Sequence, residues 1–266
     1  MSEEKIFSPF KFIEHIKDIV CDVERVNNKK LKYVDVDNLC NDIISNMGEN
    51  MTTDEIVSLS MDMAYGRVVY EPEYELIAGG IAWYTHHRKI LKDPLEILKL
   101  LYNNVNPVNL VPDKRIILEV LNFALENEDA IKKVFNYDHD YKLSYFSYRT
   151  LCKSYLQKIN RKTVESTQNL FLRVALGIHY KKKNVLAMIT TYISMSSGYY
   201  IHATPTLFNA GTPNAQNSSC YLLYMGDSLD DIYNVLKTEQ NEIEIERSIQ
   251  EKAYKCINRM MEGAKV

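Results

Sequence analysis

No stretch of this sequence is apolar for anything near the ~18 residues a membrane-crossing helix needs. The first ten residues, MSEEKIFSPF, carry acidic side chains and a proline where an export signal has a basic end and an apolar core. A soluble, cytoplasmic protein with no membrane partner is expected. Charge of one sign is also lacking: 32 Lys and Arg against 35 Asp and Glu leave a net charge of -3, which gives no basic field for a phosphate backbone. Nucleic acid is therefore not an expected partner. The five cysteines, Cys21, Cys40, Cys152, Cys220 and Cys256, are odd in number and scattered, with no CxxC and no histidine at ligand spacing. That excludes a disulfide framework and a zinc site, and it fits a reducing compartment. There is no internal repeat and no low-complexity tract.

What is present up to about Met195 is helical periodicity broken by Pro, Gly and Asn. Ile13, Ile16, Ile19 and Val20 make one stripe, and Val36, Leu39, Ile43 and Ile44 another. MTTDEIVSLSMDMAY opens on a capping box, Thr52 with Glu55. PEYELIAGGIAWYTHHRKI predicts a helix in which Gly79 and Gly80 are tolerated because another helix crosses closely there. His86 and His87 read as a pair on its surface. RIILEVLNFALENEDAIKKVF predicts one further helix. TQNLFLRVALGIHY predicts another, with Leu170, Leu172, Val174, Ala175 and Ile178 facing a core. Cys21, Cys40 and Cys152 read as core residues, and the 19 tyrosines as mostly packing.

After Tyr200 the character changes. TPTLFNAGTPNAQN reads as a loop, SSCYLLYM as one short β-strand, and GDSLDDIYNVLK as a helix capped by Ser228 with Asp231. A lone strand leaves backbone N–H and C=O groups unpaired, so partners for it are expected. From residue 238 onward Ile245, Ile249, Ala253, Cys256 and Met260 predict an amphipathic helix whose apolar stripe takes up Cys256.

Taken together, MTTDEI, PEYELIAGGIA, YRTLCKSYLQKI, FLRVALGIH, HATPTLFNAGTPNAQNSSCYLL and GDSLDDIY resemble, in order and spacing, the large subunit of class I ribonucleotide reductase. The resemblance runs from about Phe10 to Lys237 and implies a mainly α fold. In it the helical N-terminal domain of the large subunit is followed by the first strand and helix of the α/β barrel, and here by an added C-terminal helix. The corresponding divisions are a degenerate ATP-cone-like helical region (1–92), the N-terminal helical domain (93–200), the start of the barrel (201–237) and an unrelated amphipathic tail (238–266).

In that family a thiyl radical takes the ribose 3′-hydrogen and a thiol pair supplies electrons while closing a disulfide. Cys220 matches one member of that pair. Thr204 and Ser219 match substrate-binding positions, Thr204 at the phosphate. Asp227, Ser228 and Leu229 match part of the pocket where ATP or a deoxynucleotide effector sets substrate choice across a homodimer interface. The resemblance implies a ribonucleoside diphosphate substrate and a small subunit carrying the radical cofactor, with no metal or cofactor held directly by this chain. The family's other catalytic residues would lie beyond Lys237. This implies either a complementary large-subunit fragment that completes a ribonucleoside-diphosphate reductase, this chain being inactive alone, or a catalytically dead homologue serving as a protein-binding or regulatory module. A purely structural helical domain is the third reading. MSEEKIFSPFKF lacks the family's basic, Gly-containing hairpin, which argues against activity control by dATP. Cys152, and Gly79 with Gly80, depart from the family's usual residues.

Overall fold

The computed structural model describes residues 7–48, 50–218 and 227–230. The strand expected at SSCYLLYM, with Ser219 and Cys220, lies outside them. So do Asp231 and the tail helix.

Eleven α-helices are present among the described residues: α1 Pro9–Asn27, α2 Val36–Ser45, α3 Thr53–Gly66, α4 Tyr74–Lys89, α5 Pro94–Tyr102, α6 Leu118–Glu126, α7 Glu128–Val134, α8 Tyr145–Thr150, α9 Thr167–His179, α10 Val185–Ser196 and α11 Thr204–Asn209. Their starts follow local chemistry. Ser8, Asp35, Thr52, Asp93, Ser144, Ser166 and Asn184 each cap a helix by accepting a backbone N–H two or three residues on. Thr52 and Glu55 form the expected reciprocal box. The buried apolar residues make one continuous cluster from Ile16 in α1 to Ala210 after α11, including Leu39, Ile43, Leu170, Leu172, Val174 and Ala175.

At the middle of this cluster α4 is covered from two sides, and its paired glycines are the reason it can be. A Cβ on Gly80 would stand 2.5 Å from Val23 of α1, and one on Gly79 would stand 2.7 Å from the carbonyl oxygen of Leu143, just ahead of α8. The close crossing expected from the sequence is there, once on each side.

Several expectations are corrected. His86 and His87 are buried, because α4 has little free surface: His86 meets the Glu165 carbonyl at 2.8 Å and His87 meets Asp140 at 2.8 Å. Cys21 is exposed on α1 and Cys152 half-buried, whereas Cys40 is buried as expected. RIILEVLNFALENEDAIKKVF is two helices, interrupted at Asn127, whose φ of -123° leaves the helical region. TPTLFNAGT begins with a helix, α11, with Pro205 in its first turn where a missing N–H is harmless. A two-strand antiparallel hairpin, β1 Lys158–Ile159 and β2 Lys162–Thr163, was not expected at all.

Gly79→Ala should gain ~1 kcal/mol in helix propensity and lose ~1–3 kcal/mol to overpacking against backbone that cannot yield. The expected net result is a lower urea midpoint, and a raised midpoint would show that α4 and the Leu143 segment are not so closely apposed.

Candidate functional site

The segment that carries the sequence-predicted site residues is built from α9 outward. Ser166 accepts N–H bonds from Gln168 and Asn169, while the Asn169 side chain accepts from the Ser166 N–H, so α9 starts from a fixed point. Every residue from Thr167 to Leu176 is buried. A helix buried on all sides needs internal partners for its polar side chains, and Arg173 and Gln168 find theirs in two places.

The first is Arg173, fully buried, as is Glu165 just ahead of the helix. The guanidinium donates to Glu165 through Nε at 2.8 Å and through Nη2 at 3.3 Å. Its remaining N–H groups donate to the carbonyls of Leu207 at 3.3 Å, Phe208 at 3.5 Å and Ala210 at 3.2 Å. These carbonyls end α11 and have no partner within the helix. Glu165 in turn accepts the Gln157 N–H at 2.9 Å. One ion pair thus ties α9, the hairpin strand entry and α11 together.

The second is a set of hydrogen bonds around Asp140, which is fully buried. Asp140 meets His87 at 2.8 Å and accepts from the Gln168 amide at 3.0 Å. The Gln168 oxygen accepts from Tyr192 at 3.1 Å and Ser196 at 2.7 Å. This fixes α9 against α4 and α10.

On that base the turn after α11 is held close. Gly177 of α9 lies so near it that a Cβ there would stand 2.3 Å from the Gly211 nitrogen. Gly211 has φ +80°, a conformation glycine adopts freely, and its carbonyl accepts the Ile117 N–H at 3.0 Å. Thr206 donates to the Asn217 carbonyl at 2.8 Å and Asn209 to the Gln216 carbonyl at 2.6 Å, folding the chain back over α11. At the near end of α11 Thr204 is exposed, its hydroxyl 3.0 Å from that of Tyr155, whose ring also packs on Phe208 with centroids 4.7 Å apart. A cleft of about 250 Å³ opens beside this turn, between Arg115, Gln157, Phe208 and Asn209.

Of the expected site residues, Thr204 therefore sits at the surface at the start of a well-tethered helix, and Asp227, Ser228 and Leu229 are exposed. Ser219 and Cys220 lie outside the described residues. The Cys40 and Cys152 thiols are pushed up to about 11 by burial, so neither is a nucleophile at neutral pH. Among the described residues no group of three metal-ligating side chains occurs, and no helix is long and apolar enough to cross a membrane. Arg173, Glu165 and Tyr155, which hold the segment around Thr204, carry no motif that marks them in the sequence. The available signal was a lone arginine inside the apolar run FLRVALGIH.

Residues 141–215 match the family described as ribonucleotide reductase, all-alpha domain. The chain is 40% identical over 212 residues to the ribonucleoside-diphosphate reductase large subunit of Acanthamoeba polyphaga mimivirus, covering 79% of this chain and 24% of the relative. It is 38% identical over 206 residues to that of Danio rerio, covering 77% of this chain and 26% of the relative. To the large chain 2 of Saccharomyces cerevisiae it is 37% identical over 196 residues, covering 73% and 22%. The chain spans about a quarter of the length of the curated relatives it matches.

Arg173→Met strips Glu165 of its cation inside the core. Breaking such a pair costs ~3–5 kcal/mol, which urea denaturation will register, and adding Glu165→Gln to it should restore a substantial part; additive losses would mean the two side chains do not act as a pair. A pH dependence follows from His179, whose Nε2 lies 2.8 Å from the Thr191 hydroxyl. Burial first, and His202 second, lower its pKa to about 4. The folded state thus keeps the imidazole neutral down to about 4, while the unfolded chain takes up the proton near 6.5, so this contribution is fully present above about 6.5 and is lost as pH falls toward 4. His179→Gln should flatten that part of the stability profile; an unchanged slope would exclude His179 as its source.

Proposed function

We propose, on the premise that the chain carries the all-alpha domain of ribonucleotide reductase and matches the N-terminal region of its large subunits, that it contributes one wall of the site where ribonucleoside diphosphates are reduced to deoxyribonucleotides. The observation that carries this reading is the mount itself. A buried ion pair, a glycine contact and a tyrosine fix the short helix that begins at Thr204, and a helix held at both ends is what a phosphate contact at its start requires.

In this reading Thr204 and Ser219 bind the substrate, Thr204 at the phosphate through a hydroxyl that can donate and accept at once. Cys220 is one of two thiols that together give up two electrons and two protons, closing a disulfide as the 2′-hydroxyl departs as water. Asp227, Ser228 and Leu229 contact the effector, ATP or a deoxynucleotide, at a homodimer interface. The rest of the barrel, including the second redox thiol, comes from a complementary part of the large subunit, and the radical comes from the cofactor of the small subunit. The chain by itself does not turn over.

The experiment is reconstitution: the chain, the polypeptide bearing the remaining barrel and the small subunit are mixed with a ribonucleoside diphosphate and dithiothreitol, and deoxynucleotide is measured. Cys220→Ser should reduce product to background while leaving the assembly intact. Full activity in that variant would remove Cys220 from the chemistry. An assembly that forms but never reduces substrate would leave the chain as a binding module.

A further inference from the structure

A second cleft, of about 670 Å³, opens on the side of the hairpin, and its lining is unusually cationic: Arg115, Lys153, Lys158 and Arg161 against a single carboxylate, Asp113. Its volume is that of a small-molecule site. Two features make it a built site rather than a patch of solvated lysines.

One wall is fixed by hydrogen bonds. Asn104 donates to the Asp113 carbonyl at 2.9 Å and to its carboxylate at 3.1 Å, the Asp113 N–H returns to the Asn104 carbonyl at 2.9 Å, and the Arg115 N–H bonds the Leu101 carbonyl at 2.9 Å. Arg115 reaches Asp113 at 2.5 Å through one terminal nitrogen, while its Nε is buried with no hydrogen-bond partner. The Arg115 side chain as a whole is 41% exposed and lines the cleft, so its guanidinium, unlike the covered Nε, is open to an entering anion.

The opposite wall is fixed by backbone conformation. Asn160 and Arg161 have φ +49° and +64°, the left-handed pair of a two-residue hairpin turn, and the strands on either side are in register from Lys158 to Thr163. Lys158 is tethered to the Lys153 carbonyl at 2.9 Å. Lys153, Lys158 and Arg161 form no ion pair among the described residues, although the chain as a whole has more acidic than basic side chains. Cations gathered without compensation around a concave surface raise the local concentration of anions.

We propose that this cleft binds an oligophosphate, the di- or triphosphate group of a nucleotide or an inorganic polyphosphate. The terminal phosphates lie between the hairpin cations and the exposed part of the Arg115 guanidinium. Nucleic acid fits less well, since its backbone would need cations continuing beyond the cleft and the net charge of -3 supplies no such field. The site does not depend on the reductase reading, because none of its cations is among the residues assigned to substrate, effector or redox chemistry.

The test is isothermal titration of the full chain at low salt with tripolyphosphate and, separately, with ATP. Lys153→Glu/Arg161→Glu reverses two exposed cations of the cleft; Lys133→Glu/Lys181→Glu makes the same charge change elsewhere on the surface. Saturable tripolyphosphate binding is expected, weakened by at least about tenfold in the cleft variant and unchanged in the control variant. ATP binding that is tighter than tripolyphosphate binding and lost in the cleft variant identifies a nucleotide as the ligand, whereas equal affinities identify the inorganic anion. No tripolyphosphate binding, or equal weakening in both variants, overturns the proposal.

Discussion

The Arg173–Glu165 ion pair is the constraint from which the rest of the described structure takes its geometry. Both side chains are wholly buried, and every group they offer is used: two carboxylate oxygens face the guanidinium, one of them also accepts a backbone N–H, and the outer nitrogens cap the carbonyls of Leu207 and Phe208 in α11 and of Ala210 just after it. A lysine could not replace this arginine. A point charge on a flexible stem has no planar fork with which to hold a carboxylate on one side and a helix end on the other. Hydrophobic residues of equal volume could fill the space and be as stable, but they would leave the α11 carbonyls without donors. What the pair adds is position. It sets where the turn after α11 lies relative to α9, and the close contact at Gly177 is possible only while that position is kept.

The second polar cluster does the same for the far side of α9. Asp140 joins α4, α9 and α10 through His87 and Gln168, and Gln168 passes the connection to Tyr192 and Ser196. Burial pushes the Tyr192 hydroxyl of this cluster up to about 12 and, on neighbouring α4, holds the His86 imidazole below its ordinary value, desolvation being the largest cause in both. A helix pinned along its length by satisfied polar contacts cannot slide by a turn without breaking several of them together. That is a stronger specification of register than apolar packing provides, since an apolar stripe repeats itself every three or four residues.

The contrast explains which parts of the fold the sequence made legible. The stripes of α1, α2 and α9 could be read because burial on one helical face repeats with the period of the helix, and Ile16, Ile19, Leu39, Ile43, Leu170 and Val174 are all in the core. Gly79 and Gly80 could be read because two glycines in a helix need a steric reason. Non-local contacts could not be read. His86 and His87 look like surface residues until α4 is known to be covered by chain from far along the sequence. Thr204 to Asn209 has loop composition, and it is helical because Arg173 satisfies its end and Leu207 is buried beneath it. The hairpin has strands too short to alternate, and its only local mark is an Asn placed where the backbone turns left-handed. Of the candidate site, the residue types at Thr204 and beyond were legible through their resemblance to a family. The supports that hold Thr204 were not, because Tyr155, Glu165 and Arg173 come together only in space.

These supports also divide the surface into two faces with different chemistry. Gln157 belongs to the frame of the first, since its N–H bonds Glu165 and its side borders the cleft next to Phe208. One residue later Lys158 begins the hairpin and faces the cationic cleft. Arg115 lines both. A displacement of the segment 155–158 therefore moves the Thr204 mount, through Tyr155 and Glu165, and the cationic wall, through Lys158, in one step. Coupling between two sites needs a shared element whose position both can bias. The segment 155–158 is the stretch of chain that the two faces share: Tyr155 meets Thr204, Gln157 meets Glu165, and Lys158 lines the cationic cleft.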